Sequence, residues 1–247
     1  MKIYKDIIYD MQNQLKLDMY IPEIGAFDTF IFFHGGGLEG GSKEDAKSFV
    51  KDLVSENIAV ISVDYRLYPN AKFPDYINDC SNAVSWVINN IKNYGNSKEI
   101  YIGGSSAGGY ISMMLCFDQR YLNKVGLSNG DISGYIHDAG QPTSHFNILR
   151  ERGIDSRRII VDETAPLYFV GLEKTYPKML FVVSDHDVEN RFEQTQLMVS
   201  SIKSFGYDMT KIKLKVMEGL HTAYLNLYDE HKRNIFANIL KEFIKEV

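Results

Sequence analysis

The sequence predicts an α/β fold in which a mainly parallel central sheet carries helices on both faces. Three observations support this prediction. Short, nearly continuous apolar runs recur along the chain, as expected of strands buried on both faces of a sheet. Segments with helical spacing separate these runs, and such alternation implies right-handed crossover connections. Finally, 247 residues with 45% hydrophobic and 24% charged residues are enough for one sizeable α/β domain.

The first half of the chain is predicted to begin with a hairpin. Two β-like runs at 3–9 and 15–21 flank a polar turn at 11–14, a spacing typical of antiparallel neighbours. The elements that follow are a buried strand at 27–33, a helix at 44–56, a buried strand at 58–63, a helix at 74–93 and a strand at 100–102 that leads into a further helix.

The second half continues the alternation around one irregular segment. Residues 138–170 lose clear periodicity and predict a small lid-like insertion in a single domain spanning 1–247. The other predicted elements are a strand around 132–136, a strand at 178–183, a helix at 189–205, a strand at 211–217 and a final helix at 222–246.

Residues 99–109, which read E-I-Y-I-G-G-S-S-A-G-G, contain the most informative motif. Gly104, Ser106 and Gly108 match G-x-S-x-G between a predicted strand and a predicted helix. A sharp strand-to-helix turn strains the central residue and requires small neighbours. The turn holds the serine hydroxyl above the sheet edge, close to the free N–H groups of the new helix. Ser106 is therefore the predicted nucleophile.

A serine hydroxyl needs a base, which the fold should place after the last strand. His221 lies between that strand and the final helix, and it is the predicted base. The predicted elements place the other five histidines elsewhere. His34 lies in the glycine loop, and His137 and His145 lie in or before the insertion. His186 follows the preceding strand, and His231 lies inside the final helix.

The acid that orients the histidine should follow the strand at 178–183. Ser184-Asp185-His186-Asp187 offers two carboxylates, and Glu189 is a third. Asp187 is favoured because it lies further into the loop, from which it can reach His221. Asp185 stays close to the strand end, where it could instead cap the turn, so both aspartates remain candidates.

An oxyanion hole is predicted from two separate segments. Gly35-Gly36-Gly37 follows a strand, and its backbone N–H groups can approach a developing charge closely because no side chains intervene. The N–H of Ala107, directly after the predicted nucleophile, is the natural further donor.

Together these motifs resemble the α/β-hydrolase esterases of the hormone-sensitive-lipase and carboxylesterase-like group. The resemblance covers nearly the whole chain outside 138–170 and rests on H-G-G-G at 34–37, S-V-D-Y-R-L-Y-P at 62–69, the serine motif, Asp187 and His221. It implies hydrolysis of small or medium acyl esters through an acyl-enzyme. Ser106, Asp187 and His221 would be the triad, and Gly35, Gly36 and Ala107 the oxyanion donors. No metal or organic cofactor is implied.

Two departures from this family keep other activities open. The chain is too short at its N-terminus for the helical cap of larger members, so 138–170 and nearby loops are expected to form the substrate pocket. Related formamidases acting on N-formylkynurenine often carry tryptophan after the glycines, where this chain has Leu38. An amidase, formamidase or small peptidase is therefore the alternative, and a non-catalytic ligand-binding protein is a more distant one.

Composition and charge narrow the range of expected binding partners and the expected location of the protein. The net charge of −5 is spread along the chain without a basic run for nucleic acid, and no apolar stretch approaches the ~18 residues of a membrane span. The N-terminus lacks a secretory pattern, and Cys80 and Cys116 lie in apolar helical settings, which predicts free thiols and a cytoplasmic location. The expected partner is a small-molecule ester, and a homodimer is one admissible assembly.

A last hypothesis concerns the insertion, where arginines are concentrated near His145. Such a patch could recognise an acidic substrate, although scattered arginines are more often solvated surface charges. The arginines are Arg150, Arg152, Arg157 and Arg158.

Overall fold

The computed structural model describes residues 1–246 of the chain, and within them eight strands form one sheet. The strands are β1 (Lys2–Asp10), β2 (Leu15–Ile21), β3 (Ala26–Phe33), β4 (Ile58–Val63), β5 (Asn96–Ser105), β6 (Gly134–Asp138), β7 (Lys178–His186) and β8 (Ile212–Leu220). Their order across the sheet is β1-β2-β4-β3-β5-β6-β7-β8.

The sheet is mainly parallel. The hairpin β1–β2 is antiparallel, β2 pairs antiparallel with β4, and all five pairs from β4 to β8 are parallel. The carboxyl ends of β3, β5, β6, β7 and β8 consequently meet along one edge of the sheet. Loops that follow these strands can therefore combine side chains from distant parts of the chain.

Helices cover both faces, which confirms the predicted α/β architecture. The helices are α1 (Val50–Ser55), α2 (Asp75–Asn90), α3 (Ala107–Phe117), α4 (Arg120–Lys124), α5 (Phe146–Glu151), α6 (Arg191–Ser204) and α7 (Ile235–Lys245). One buried apolar cluster joins α2, α3 and α6 to the sheet, and a second joins α1 and α7 to the opposite face. Burying a leucine such as Leu240 of α7 stabilises the fold by about 2–3 kcal/mol.

Helix α3 is enclosed on every side. All eleven of its residues are buried, from Ala107 to Phe117, because α3 runs beneath the middle of the sheet against β3, β5 and β6. Both cysteines, Cys80 in α2 and Cys116 in α3, are buried free thiols. Burial raises the pKa of each thiol.

Two predicted helices are shorter in the structure. The segment 44–56 is a 3₁₀ helix (Lys43–Ser48) followed by the single α-helical stretch α1. The predicted helix at 222–246 contains a 3₁₀ turn (Ala223–Asn226) and then a loop, and α7 begins only after Asn234. The Asn234 side chain accepts a hydrogen bond from the amide of Ala237 and caps the helix.

The irregular segment 138–170 has two parts. Asp138 ends β6, and residues 139–149 are almost entirely buried at the carboxyl edge of the sheet, where they include most of α5. Residues 150–164 are mainly exposed, and a 3₁₀ helix (Pro166–Phe169) returns the chain to the core. Only the middle of the segment therefore projects from the body of the domain.

Candidate active site

Ser106 lies at the sharp turn between β5 and α3. Its backbone has φ 55° and ψ −111°, a strained conformation for a residue other than glycine. Its amide donates a 2.8 Å hydrogen bond to the carbonyl oxygen of Asp138, at the end of the neighbouring strand β6. A Cβ at Gly108 would overlap the carbonyl oxygen of Phe33, so the close approach of α3 to β3 requires glycine there.

His221 follows directly after β8 and faces Ser106. Its Nε2 lies 2.9 Å from Ser106 Oγ, and its Nδ1 lies 2.5 Å from Asp187 Oδ1. The structure thus brings together the three residues predicted for the triad, from the ends of β5, β7 and β8. They form one hydrogen-bonded chain.

Asp187 is buried and held in place by backbone donors. The amide of Val188 donates to Oδ1 (2.8 Å) and the amide of Ser184 donates to Oδ2 (3.3 Å). Burial alone would raise the pKa of this carboxyl, but the contact with His221 and these amides outweigh burial and lower the pKa. The Asp187 side chain is therefore ionised, as a carboxylate, near neutral pH.

Asp185 occupies the other position considered from the sequence. Its Oδ1 accepts a 2.8 Å hydrogen bond from the amide of Gly219 and lies 2.9 Å from Nδ1 of its neighbour His186. The Asp185 side chain is 39% exposed and makes neither a hydrogen bond nor an ion pair with His221. The structure therefore associates Asp187, not Asp185, with the histidine.

Three other histidines lie outside the hydrogen-bonded chain of Ser106, His221 and Asp187. His137 and His145 are buried, and burial lowers the pKa of both, that of His137 to about 3. His231 was predicted inside the final helix. This prediction is wrong, since His231 lies in the exposed turn before α7, where Asp229 accepts hydrogen bonds from the amides of His231 and Arg233.

The glycine loop after β3 lies against the nucleophile. A Cβ built on Gly35 would lie 3.4 Å from the Ser106 Cβ, so the two backbones approach closely. The backbone amides of Gly35 and Gly36 donate no hydrogen bond to any acceptor within residues 1–246. Ala107 is the first residue of α3, where an amide has no intrahelical acceptor. These three predicted donors border the nucleophile and have free N–H groups.

His34 and its neighbours form a support for this loop. The His34 ring stacks on Tyr65 at 4.2 Å, and the Tyr65 hydroxyl donates to the His34 carbonyl oxygen. Arg66 makes a two-pronged contact with the buried Asp79, with distances of 2.9 and 2.7 Å. Tyr65 and Arg66 therefore act as framework residues.

Asp138 is a feature that the sequence analysis missed. Its carboxylate accepts hydrogen bonds from Ser105, which precedes the nucleophile, and from Tyr224, three residues after His221. Complete burial raises its pKa to about 7, although both hydrogen bonds act in the opposite direction. An aspartate at a predicted strand end was the available signal, but its partners come from β5 and the loop after β8.

Ser106 and His221 open into a pocket of about 530 Å³. The glycine loop forms one wall, and Phe146 of α5, Val188 and Arg191 form another. Arg191, the first residue of α6, is only 5% exposed and was also missed by the sequence analysis. Most of the arginines noted in the sequence are ion-paired instead, and these pairs are Arg150–Glu39, Arg152–Asp162 and Arg157–Asp155.

Within residues 1–246, every helix is too short or too polar to span a membrane. The same residues contain no group of three or more histidine, cysteine, aspartate or glutamate side chains that could hold a metal ion.

The sheet order, the strained serine turn and the hydrogen-bonded chain at the sheet edge define the protein as an α/β-hydrolase of the carboxylesterase-like group. Comparison with known families makes the assignment more specific. Residues 17–149, more than half of the chain, match the BD-FAE family. The chain belongs to this family.

Curated relatives are similar over part of their length. A probable isoprenylcysteine alpha-carbonyl methylesterase of Arabidopsis thaliana, ICMEL2, is 31% identical over 130 residues, which are 51% of this chain and 31% of the relative. Probable carboxylesterase 13 of the same plant is 29% identical over 157 residues, 54% of this chain and 48% of the relative. The matches thus span between about a third and a half of these relatives.

Solved structures extend the similarity to nearly the whole chain. Esterase B from Lactobacillus rhamnosis superimposes with a TM-score of 0.79 at 17% identity, covering 98% of this chain and 85% of the esterase. The butyrate-bound esterase Est2 from Thermogutta terrifontis gives a TM-score of 0.76 at 18% identity, with 98% and 92% coverage. At these identities the two structures establish the fold.

Proposed function

We propose that this protein is a serine carboxylesterase that hydrolyses small or medium acyl esters through an acyl-enzyme. The observation that carries this proposal is the continuous contact from Asp187 through His221 to Ser106, open to a pocket bordered by free amides. Family membership supports the same class of reaction, because the curated relatives are named as methylesterases and carboxylesterases.

In the first half of the proposed reaction, Ser106 Oγ attacks the ester carbonyl carbon. His221 Nε2 takes the hydroxyl proton, which requires the neutral histidine to carry its own proton on Nδ1, facing Asp187. The Asp187 carboxylate holds that tautomer and stabilises the imidazolium. The alcohol then leaves with the proton from Nε2, and the acyl group stays on Ser106.

The oxyanion of each tetrahedral intermediate is assigned to the glycine loop and the start of α3. Gly35 lies against Ser106, Gly36 follows it in the same loop, and Ala107 directly follows Ser106, so we assign their free amides as donors to the negatively charged oxygen. One such donor typically lowers the barrier by about 3–4 kcal/mol. In the second half, His221 activates water, which attacks the acyl-enzyme and releases the acid.

We assign the substrate pocket to one domain comprising 1–247, with 138–170 as its insertion. Helix α5 of this segment packs on the glycine loop, since the side-chain amide of Asn147 donates to the Gly37 carbonyl oxygen (2.8 Å) and Phe146 contacts Gly37. Phe146 is also part of the pocket wall. A cytoplasmic location and a homodimer remain predictions.

A hydrolysis screen tests the proposal. Purified wild type and Ser106→Ala are compared on p-nitrophenyl esters from acetate to decanoate and on N-formylkynurenine, with folding checked by circular dichroism. We expect ester turnover that declines with chain length and disappears in Ser106→Ala.

The other outcomes identify the alternatives. Efficient turnover of the formamide with feeble ester cleavage would move the protein to the amidase class. Silence on every substrate by a folded protein, together with no labelling of Ser106 by a fluorophosphonate, would contradict catalysis and favour a ligand-binding role.

A further inference from the structure

A second cavity of about 300 Å³ adjoins the active-site pocket. The two share Phe146, Val188 and Arg191 in their walls. The two cavities therefore meet at these side chains, and an ester at Ser106 that reached beyond Phe146 and Val188 would enter the second cavity. The junction between them is where Arg191 lies.

Arg191 is a buried cation. It is 5% exposed, and within residues 1–246 no carboxylate lies within 4 Å of its nitrogens. One guanidinium nitrogen donates to the carbonyl oxygen of Ala139, and Nη2 lies 3.3 Å from Gln141 Oε1. These two neutral acceptors use only part of its five N–H donors.

The charge of Arg191 persists at neutral pH. Burial lowers its pKa to about 10, and the negative charge of Asp187 partly opposes that effect. Asp187 is already engaged with His221, so it does not neutralise Arg191 by direct contact. Buried charges in proteins are ordinarily paired, and a guanidinium left with free donors is suited to a planar anion such as carboxylate.

The rest of the second cavity is also basic. Arg158 is exposed at its wall and has no ion-pair partner within residues 1–246. Arg157 is neutralised by Asp155, at 2.6 Å, and the exposed Glu189 contributes one negative charge. Within residues 1–246, two arginines of this cavity, Arg158 and Arg191, thus have no ion-pair partner, against the single negative charge of Glu189. The buried Arg191 lies nearest the triad.

We propose that this second cavity is a carboxylate subsite, so that the preferred ester carries a free carboxylate at the end remote from the scissile bond. The proposal rests on the proposed esterase function and names its substrate class. Arg191 binds the carboxylate directly, and Arg158 attracts it from the cavity rim. The paired arginines 150, 152 and 157 and the buried His145 have no part in this recognition.

Matched substrate pairs test the subsite on either half of the ester. For the acyl half, 4-nitrophenyl hydrogen adipate is compared with 4-nitrophenyl hexanoate. For the alcohol half, 4-acetoxybenzoate is compared with its methyl ester. Rates are corrected with Ser106→Ala, and kcat/KM is measured at low ionic strength, because salt screens exposed charges.

We expect the wild type to prefer the anion at least 10-fold in one pair, the scale of a charge-assisted hydrogen bond. Arg191→Met should lower kcat/KM for that anion at least 10-fold more than for its neutral partner. Arg158→Glu, at an exposed position that leaves the core intact, should also lower the ratio of the anion's kcat/KM to that of its neutral partner. Arg233→Ala removes an exposed arginine outside both cavities and should change neither.

Three results would overturn the proposal. The first is turnover of both neutral esters with no preference for an anion in either pair. The second is an equal loss on both members of a pair in Arg191→Met combined with no effect of Arg158→Glu, which would give Arg191 a structural role only. The third is Ser106-independent or absent turnover of all four esters, which refutes the esterase itself, and the carboxylate subsite falls with it.

Discussion

Replacing Asp187 by asparagine should nearly abolish turnover while preserving the shape of the side chain. Asp187 is completely buried and accepts three hydrogen bonds, from His221, Val188 and Ser184. Asparagine offers one oxygen and one NH₂ group in place of two oxygens. Either orientation of the amide therefore places an NH₂ group against a former donor.

The two orientations have different costs. With NH₂ toward His221, Nδ1 must accept, the ring proton moves to Nε2, and Nε2 can no longer take the proton of Ser106. With NH₂ toward the Ser184 amide, two donors face each other and the imidazolium still loses its carboxylate. A wrong tautomer in such a triad lowers kcat about 10⁴-fold, or about 5 kcal/mol of barrier.

The assay is kcat for p-nitrophenyl acetate or butyrate, with Tm measured for each variant. Asp185→Asn is the matched control, because the Asp185 side chain is partly exposed and its hydrogen bonds within residues 1–246 are with Gly219 and His186. The kcat of this variant should fall less than 3-fold. If Asp187→Asn keeps more than a tenth of the wild-type kcat, or if Asp185→Asn collapses instead, the assignment of Asp187 as the orienting acid is refuted.

Three other predictions concern stability, the glycine loop and the thiols. Asp138 has a pKa of about 7 in the folded state against 3.8 ordinarily, so folding takes up a proton between these values and stability falls as pH rises. Urea unfolding from pH 4 to 7 should show Asp138→Asn gaining stability relative to wild type by up to about 1.4 kcal/mol per pH unit, and a pH-independent difference would contradict this. Gly36→Ala should lower kcat at least ~100-fold, because φ of Gly36 is 102° and a Cβ there would overlap the Gly40 carbonyl. A Cβ at Gly40 has room, so Gly40→Ala should change kcat by no more than about 2-fold. Equal activity of the two variants would argue against a role of this loop. Cys80 and Cys116 should react with a thiol reagent only after unfolding, since both are buried, and rapid labelling of the native protein would show otherwise.

Some boundaries that the sequence analysis misjudged had local signals. Asn234 stands directly before the apolar run of α7 and caps it, a pattern that marks a helix start. Helical spacing alone extended the predicted helix back to 222 and so placed His231 inside it. A short polar loop between two helical segments is compatible with the same average spacing, which is why periodicity did not detect it.

Sequence patterns alone predicted the parallel architecture, and they singled out Ser106 and the histidine that the structure places beside it. These features depend on local requirements. The turn from strand to helix at Ser106 needs small residues, position 35 needs a residue without a side chain, and a histidine must follow directly after the last strand. Each requirement selects particular residue types at fixed spacing along the chain. A reader of the sequence can therefore find them without coordinates.

The tertiary structure was needed to show which of Asp185 and Asp187 contacts His221, and to find Arg191 and Asp138. The contact depends on how the loop after β7 directs two side chains that are two residues apart. No sequence pattern marks Arg191, because its lack of a carboxylate partner within residues 1–246 depends on every segment folded around it. Asp138 likewise gathers Ser105 and Tyr224 from distant parts of the chain. Burial and pairing of charges arise from long-range packing, which the order of residues does not display.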